Sequence, residues 1–139
     1  MDNIERQRQI VDALRSQFIY DPEAGFFFNR KTGRPLIGSM THRHHGHLTV
    51  TISLRSKKRV CVAYSKAVWL YCYGCFDDIK YHIHHKNFNA QDNRLRNLAK
   101  LPKEQHRALH AKMKELLTFV RESIELTGEL PQFLREETA

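Results

Sequence analysis

The sequence predicts an α+β fold: a small basic β-sheet region with flanking helices, followed by a strand–loop–helix module that runs into a long C-terminal helix. Three observations carry that expectation. In "HLTVTISL", Leu48, Val50, Ile52 and Leu54 alternate with Thr49, Thr51 and Ser53, the two-residue period of a half-buried strand. His106, Leu109, His110, Met113, Leu117, Val120 and Ile124 recur at steps of three or four, which is one face of a long helix. Turn signals at Asp21-Pro22 and at "RSKK" join short apolar runs into hairpins.

The elements follow in order. Ile4, Ile10, Val11, Leu14 and Phe18 fall near helical spacing, predicting a short N-terminal helix that ends before Asp21-Pro22. Across the turn "DPEAG", Phe18-Ile19-Tyr20 and Phe26-Phe27-Phe28 form a first hairpin. "NRKTGRPLIGSMTHRHHG" is rich in turn formers and basic residues and reads as an irregular surface excursion with one short strand. After "HLTVTISL" and the basic turn, Val60 and Val62 resume the alternation as a second hairpin rimmed by Arg55, Lys57, Lys58 and Arg59. "AYSKAVWLYCYG" switches to helical spacing, with Ala67, Trp69, Leu70 and Tyr73 available for burial and Gly74 as the stop. Pro102 suits the first turn of the long helix, Gly128 its end, and "PQFLREETA" reads as a frayed tail. The chain thus divides at 1–17 (helix), 18–76 (basic sheet region with a helix), 77–127 (strand–loop–helix module) and 128–139 (tail).

Composition bounds the function. With 139 residues, 41% apolar and 27% charged, the chain suffices for one compact domain and does not fit collagen-like, low-complexity or disordered classes. Its apolar runs are too short to span a bilayer, and "MDNIERQRQ" does not resemble a signal peptide, so no membrane partner is expected. Three cysteines cannot complete a disulfide framework, which suits a reducing cytoplasm. The net charge of +8 is uneven: residues 1–25 carry −2, residues 26–112 carry +13 and residues 113–139 carry −3. All nine histidines lie in the basic middle. A polyanion is the natural partner, and nucleic acid is favoured over a membrane surface because no long basic amphipathic helix accompanies the charge.

The chemistry concentrates in "IHHKNFNAQDNRLRNLAKLPKEQHRALH", residues 83–110. His84 and His85 end a short apolar run, and neighbouring side chains on a strand point to opposite sides, so the two are expected to do different jobs. On the helix, His106 and His110 at i, i+4 share a face and can hold one metal ion. His84 is the nearest candidate for a third ligand, which leaves His85 as a potential base.

"HH", followed by "DNRLRNL" and then "EQHRALH", resembles the HNH motif of the ββα-metal nucleases. The resemblance implies that His84 is a metal ligand, His85 the general base, Asn97 the residue that braces the hairpin and helps orient the base, and His106 and His110 the helical ligands. It implies a ββα-metal module, one divalent ion and cleavage of double-stranded DNA, as in small phage or homing-type endonucleases, with the chain a monomer or homodimer. "YSKAVWLYCYGCF" is similar to the helix before the motif in those enzymes, except that Ser65-Lys66 stands where they carry His-Arg. Residues 18–112 share the likeness. An all-imidazole shell favours zinc, nickel, cobalt or manganese over magnesium in binding terms. Expected DNA contacts are Arg43, His45, His47, Arg55, Lys57, Lys58, Arg59, Lys66, Lys86, Arg94 and Arg96. A second reading takes Cys72-x2-Cys75 with His82 and His84 as a structural zinc site in a DNA-binding protein that cuts nothing. Buried thiols are the preferred account of both cysteines.

Overall fold

The computed structural model describes residues 2–40 and 46–137. Helix α1 (Asn3–Gln17) is started by Asp2, whose carboxylate accepts from the Glu5 amide, and it buries Gln7, Ile10, Val11, Ala13 and Leu14. Strands β1 (Phe18–Asp21), β2 (Phe26–Asn29) and β3 (Pro35–Leu36) form one sheet, antiparallel at both β1–β2 and β2–β3. A second antiparallel sheet holds β4 (Ser39–Met40), β5 (Leu48–Ser53) and β6 (Arg59–Ala63) in the order β4-β5-β6. Helix α2 (Tyr64–Tyr73) follows, ending at Gly74, whose amide bonds Leu70. Then β7 (Tyr81–His85) pairs with β8 (Leu98–Pro102), with a 3₁₀ turn at Leu95–Asn97 between them. The chain divides into two compact units, Met1–Leu101 and Pro102–Ala139. Mixed helices and small sheets make the α+β class a correct expectation. Among the described residues no helix is long and apolar enough to cross a membrane.

The core of the first unit joins α1, both three-stranded sheets and α2 around Leu14, Phe27, Ile52, Tyr64, Val68 and Leu70. Burying six such side chains is the main stabilising term, at roughly 1.5–3 kcal/mol for a large apolar residue. Tyr64 also ties the sheet to the helix: its hydroxyl donates to the Leu36 carbonyl and accepts from the Phe27 amide, both at 2.8 Å. Burial pushes that phenol up to about 12.

Several expectations need correction. The irregular excursion contributes two short strands, β3 and β4, instead of one. Thr49, read as outward-facing, is buried, because β4 covers it and its hydroxyl bonds the Ser39 carbonyl. In α2 the inner face is Tyr64, Ala67, Val68 and Leu70; Trp69 and Tyr73 stack on each other at 4.5 Å, with Tyr73 exposed. Cys75 is exposed, whereas Cys72 is half-buried and its thiol is pushed up by burial. The segment read as a frayed tail contains a helix, α4 (Gln132–Glu137).

The second unit is helix α3 (Lys103–Thr127) followed by α4. Gly128 in the left-handed conformation stops α3 as expected, its amide bonding Ile124.

Gly25 closes the β1–β2 turn at φ +78°, and a Cβ there would stand 2.8 Å from the Arg94 amide nitrogen. Gly25→Ala therefore combines a strained backbone, about 1–3 kcal/mol, with a clash against the chain that follows Asn93. A thermal melt should show Gly25→Ala well below Gly33→Ala, since Gly33 has a similar φ but open space around it. Equal melting temperatures would contradict the close packing of this turn on the 92–97 loop.

Candidate active site

Strand β7 delivers His84 and His85, and both are buried, at 5% exposure each. Alternation sends them to different surroundings. His84 packs edge-on against Phe88, with ring centroids 5.1 Å apart. His85 places Nε2 2.9 Å from the Asn93 side-chain oxygen and its ring 5.4 Å from that of His47. An amide oxygen only accepts, so this bond is made when Nε2 carries a proton.

The loop between β7 and β8 is held by its own polar side chains. Asn97 is buried and acts as a staple: its oxygen accepts from the Asn87 amide at 3.0 Å, and its nitrogen donates to the Asn87 side chain and the Asp92 carbonyl at 2.9 and 2.8 Å. Its own carbonyl accepts from the Lys86 amide at 2.7 Å. These bonds tie Asn97 to both Asn87 and Asp92 across the β7–β8 loop. The contact to His85 comes from Asn93, a residue not singled out in the sequence. Asn93 is 2% exposed, and its carbonyl accepts from the Tyr20 hydroxyl at 2.5 Å. The site is thereby anchored to the first sheet. Nothing in the sequence signals this, because Tyr20 and Asn93 are 73 positions apart.

Asp92 completes the loop. Arg94 grips its carboxylate through two nitrogens at 2.8 and 2.6 Å, and Asn87 adds a third bond at 2.8 Å. The Arg94 hydrogen bonds hold the Asp92 carboxyl down at about 2. A carboxyl depressed in the fold stabilises it above the unfolded value near 3.9 and loses that contribution as pH falls toward 2. Melts between pH 5 and pH 2 should fall more steeply for the native chain than for Asp92→Asn. Parallel curves would show that the pair adds nothing to stability.

In the second unit, His106, half-buried, and His110, exposed, lie on successive turns of α3. Their rings meet at 4.5 Å between centroids, confirming that the i, i+4 pair shares a face.

The basic residues fall into groups. Arg55, Lys57, Lys58 and Arg59 are exposed on the β5–β6 turn. Lys86 and Arg96 are exposed and line one groove with Pro22, Glu23 and Tyr73. His47 immediately precedes β5, with its ring 5.4 Å from that of His85. Two expected contacts have their charge engaged within the protein: Arg94 with Asp92, and Lys66 with Asp78 at 2.6 Å. Burial would raise the Asp78 carboxyl, but hydrogen bonds from Lys66 and Asn3 outweigh it and hold the group below its usual range. Arg43 and His45 lie outside the described residues. Among the described residues, Cys72 and Cys75 belong to no cluster of three metal-ligating side chains.

A loop-bridged strand pair with adjacent histidines is followed in sequence by a helix bearing two more. Residues 65–108 match the family model of HNH endonucleases. Among solved structures it is similar in fold to the HNH homing endonuclease I-HmuI, in a structure titled for DNA binding and cleavage, with a TM-score of 0.55 and 12% identity. That match covers 81% of this chain and 63% of the other, so the chain spans under two thirds of I-HmuI's length. No curated protein sequence matches it.

Proposed function

We propose that this protein is a metal-dependent endonuclease that hydrolyses phosphodiester bonds in double-stranded DNA, an enzyme of phage or mobile-element type. The observation that carries the reading is His85: a buried imidazole with Nε2 2.9 Å from the Asn93 side-chain oxygen, within the segment that matches the HNH family model.

In this mechanism the Nδ1 lone pair of His85 takes the proton from a water as that water attacks phosphorus. Imidazole is the side chain most often used as a general base near neutral pH. Asn93 stabilises the resulting imidazolium by accepting its Nε2 proton. Asn97 acts at one remove, fixing the loop that carries Asn87 and Asp92. Asn93→Ala should reduce the cleavage rate of bound DNA about 10- to 100-fold, as loss of an orienting partner does elsewhere, with DNA affinity unchanged. An unaltered rate would remove Asn93 from the mechanism.

By the resemblance of their motif, His84, His106 and His110 are the candidate ligands for the ion. Three imidazoles are a donor set that fits zinc, nickel, cobalt or manganese, and less well magnesium. When bound, a divalent cation would stabilise negative charge on the phosphate and on the departing 3′ oxygen, which gives a 5′-phosphate product. The exposed cations of the β5–β6 turn, with Lys86 and Arg96, supply contacts to the DNA backbone. Incubating supercoiled plasmid with manganese, nickel or magnesium tests the reading: nicked or linear product is expected. A gel shift with no product under any metal would favour the non-catalytic DNA-binding alternative.

A further inference from the structure

We propose that the groove beside the β7–β8 loop binds a single-stranded segment of DNA, with Tyr73 stacking on one base and Lys86 and Arg96 holding the adjoining phosphates. The inference rests on the reading of DNA as the partner and goes beyond it. The cations of the β5–β6 turn suit a duplex backbone, whereas this groove also offers a surface for a base out of its stack. Its volume is about 810 Å³, within the range of sites that take small organic ligands. Pro22, Leu95 and Leu98 give it an apolar lining, and Tyr73, Lys86 and Arg96 add an aromatic ring and two cations, all three exposed.

These groups are held in place by contacts within the first unit. The Lys86 amide bonds the Asn97 carbonyl at 2.7 Å, so Lys86 and Arg96 ride on segments joined directly across the hairpin. The Leu95 amide reaches the Pro22 carbonyl at 3.4 Å. Trp69 packs on the Tyr73 ring at 4.5 Å between centroids, while Tyr73 remains 56% exposed. A ring steadied by one neighbour and otherwise open is a platform for a base, since every base has a π-face. Among the described residues neither Lys86 nor Arg96 is in an ion pair, in contrast to Lys66 and Arg94, whose charges Asp78 and Asp92 engage. A duplex would give the two cations phosphates but keep its bases stacked, leaving the ring and the apolar lining unmatched. An unpaired strand brings a phosphate and a base face within one nucleotide. Glu23, the carboxylate of the lining, opposes a phosphate and suits a base amine.

The test uses the full chain without metal and reads Kd by fluorescence anisotropy. Its ligands are a mixed-sequence DNA strand of about 12 nucleotides, within the usual site size of such grooves, the same strand with its central bases removed, its duplex, and its RNA counterpart. Tyr73→Leu should bind the intact strand about 5- to 100-fold more weakly, the range of base–aromatic stacking, with Tyr73→Phe within about twofold of native. On the abasic strand the native chain and Tyr73→Leu should bind alike, and on the duplex also; a variant that merely folds poorly would lose both. Lys86→Ala and Arg96→Ala should each lower the slope of log Kd against log salt for the intact strand by about 0.7, as expected for one phosphate contact on a single strand. Equal affinity of the native chain and Tyr73→Leu for the intact strand would overturn the proposal, as would the same penalty on intact and abasic strands, or tighter binding of the RNA. Duplex binding with no single-strand binding overturns this inference alone, whereas failure to bind either DNA removes the reading on which it rests.

Discussion

Replacing His85 with alanine is expected to lower the single-turnover cleavage rate by about 10²–10⁴-fold, the range that general-base catalysis contributes, while DNA binding stays near native. The separation follows from placement. His85 is buried at the end of β7, and the cations expected to meet the backbone are exposed on the β5–β6 turn and beside the 86–96 groove. Removing the imidazole also leaves the buried Asn93 oxygen without the Nε2–H donor, so His85→Ala should melt somewhat lower; an unmet buried polar group costs about 1–3 kcal/mol. His85→Gln separates stability from catalysis. It retains an amide donor for Asn93 and supplies no base, so it should recover stability and leave cleavage lost. Cleavage by His85→Ala at the native rate would dismiss His85 as the base.

The second large effect concerns the ion. Substituting His106 with alanine should weaken divalent metal binding at least about 100-fold, since even residues that only orient metal ligands cost 10- to 100-fold. His84→Ala should do the same. His110→Ala should cost less, because His110 is exposed and His106 half-buried, and solvent can replace an exposed ligand more readily. Titration calorimetry with manganese or nickel checks all three. Equal affinity across the native chain and the three variants would mean that the ion sits elsewhere.

Much of the site could be read from the sequence because its spacing is local. His106 and His110 share a face through helical period alone, and adjacent histidines on a strand diverge for the same geometric reason. Asn97 was legible through the HNH resemblance, and its bonds to Asn87 and Asp92 lie within ten positions. What escaped depends on tertiary contact. Asn93 sits in "DNRLRNL" among several equivalent polar residues, and only the fold, with Tyr20 bonded to its carbonyl, makes it the one that meets His85. Lys66 looked like a free cation until α2 and the following loop brought Asp78 to it. The β5 alternation was read correctly at Val50, Ile52 and Leu54, yet failed at Thr49, where a two-residue strand too short to recognise covers the outer side. In α2, Ala67 and Leu70 are buried and Trp69 packs against the core as expected, and only Tyr73, stacked on Trp69, is exposed.

The central proposal is that His84, His106 and His110 are ligands of one cation. Anomalous diffraction at the manganese or nickel edge, from crystals of the full chain grown with that metal, tests it most directly. The account predicts one strong peak within bonding distance of a ring nitrogen from each of the three histidines, and its loss in His106→Ala. A peak on Cys72 and Cys75, or one that persists unchanged in that variant, would contradict it.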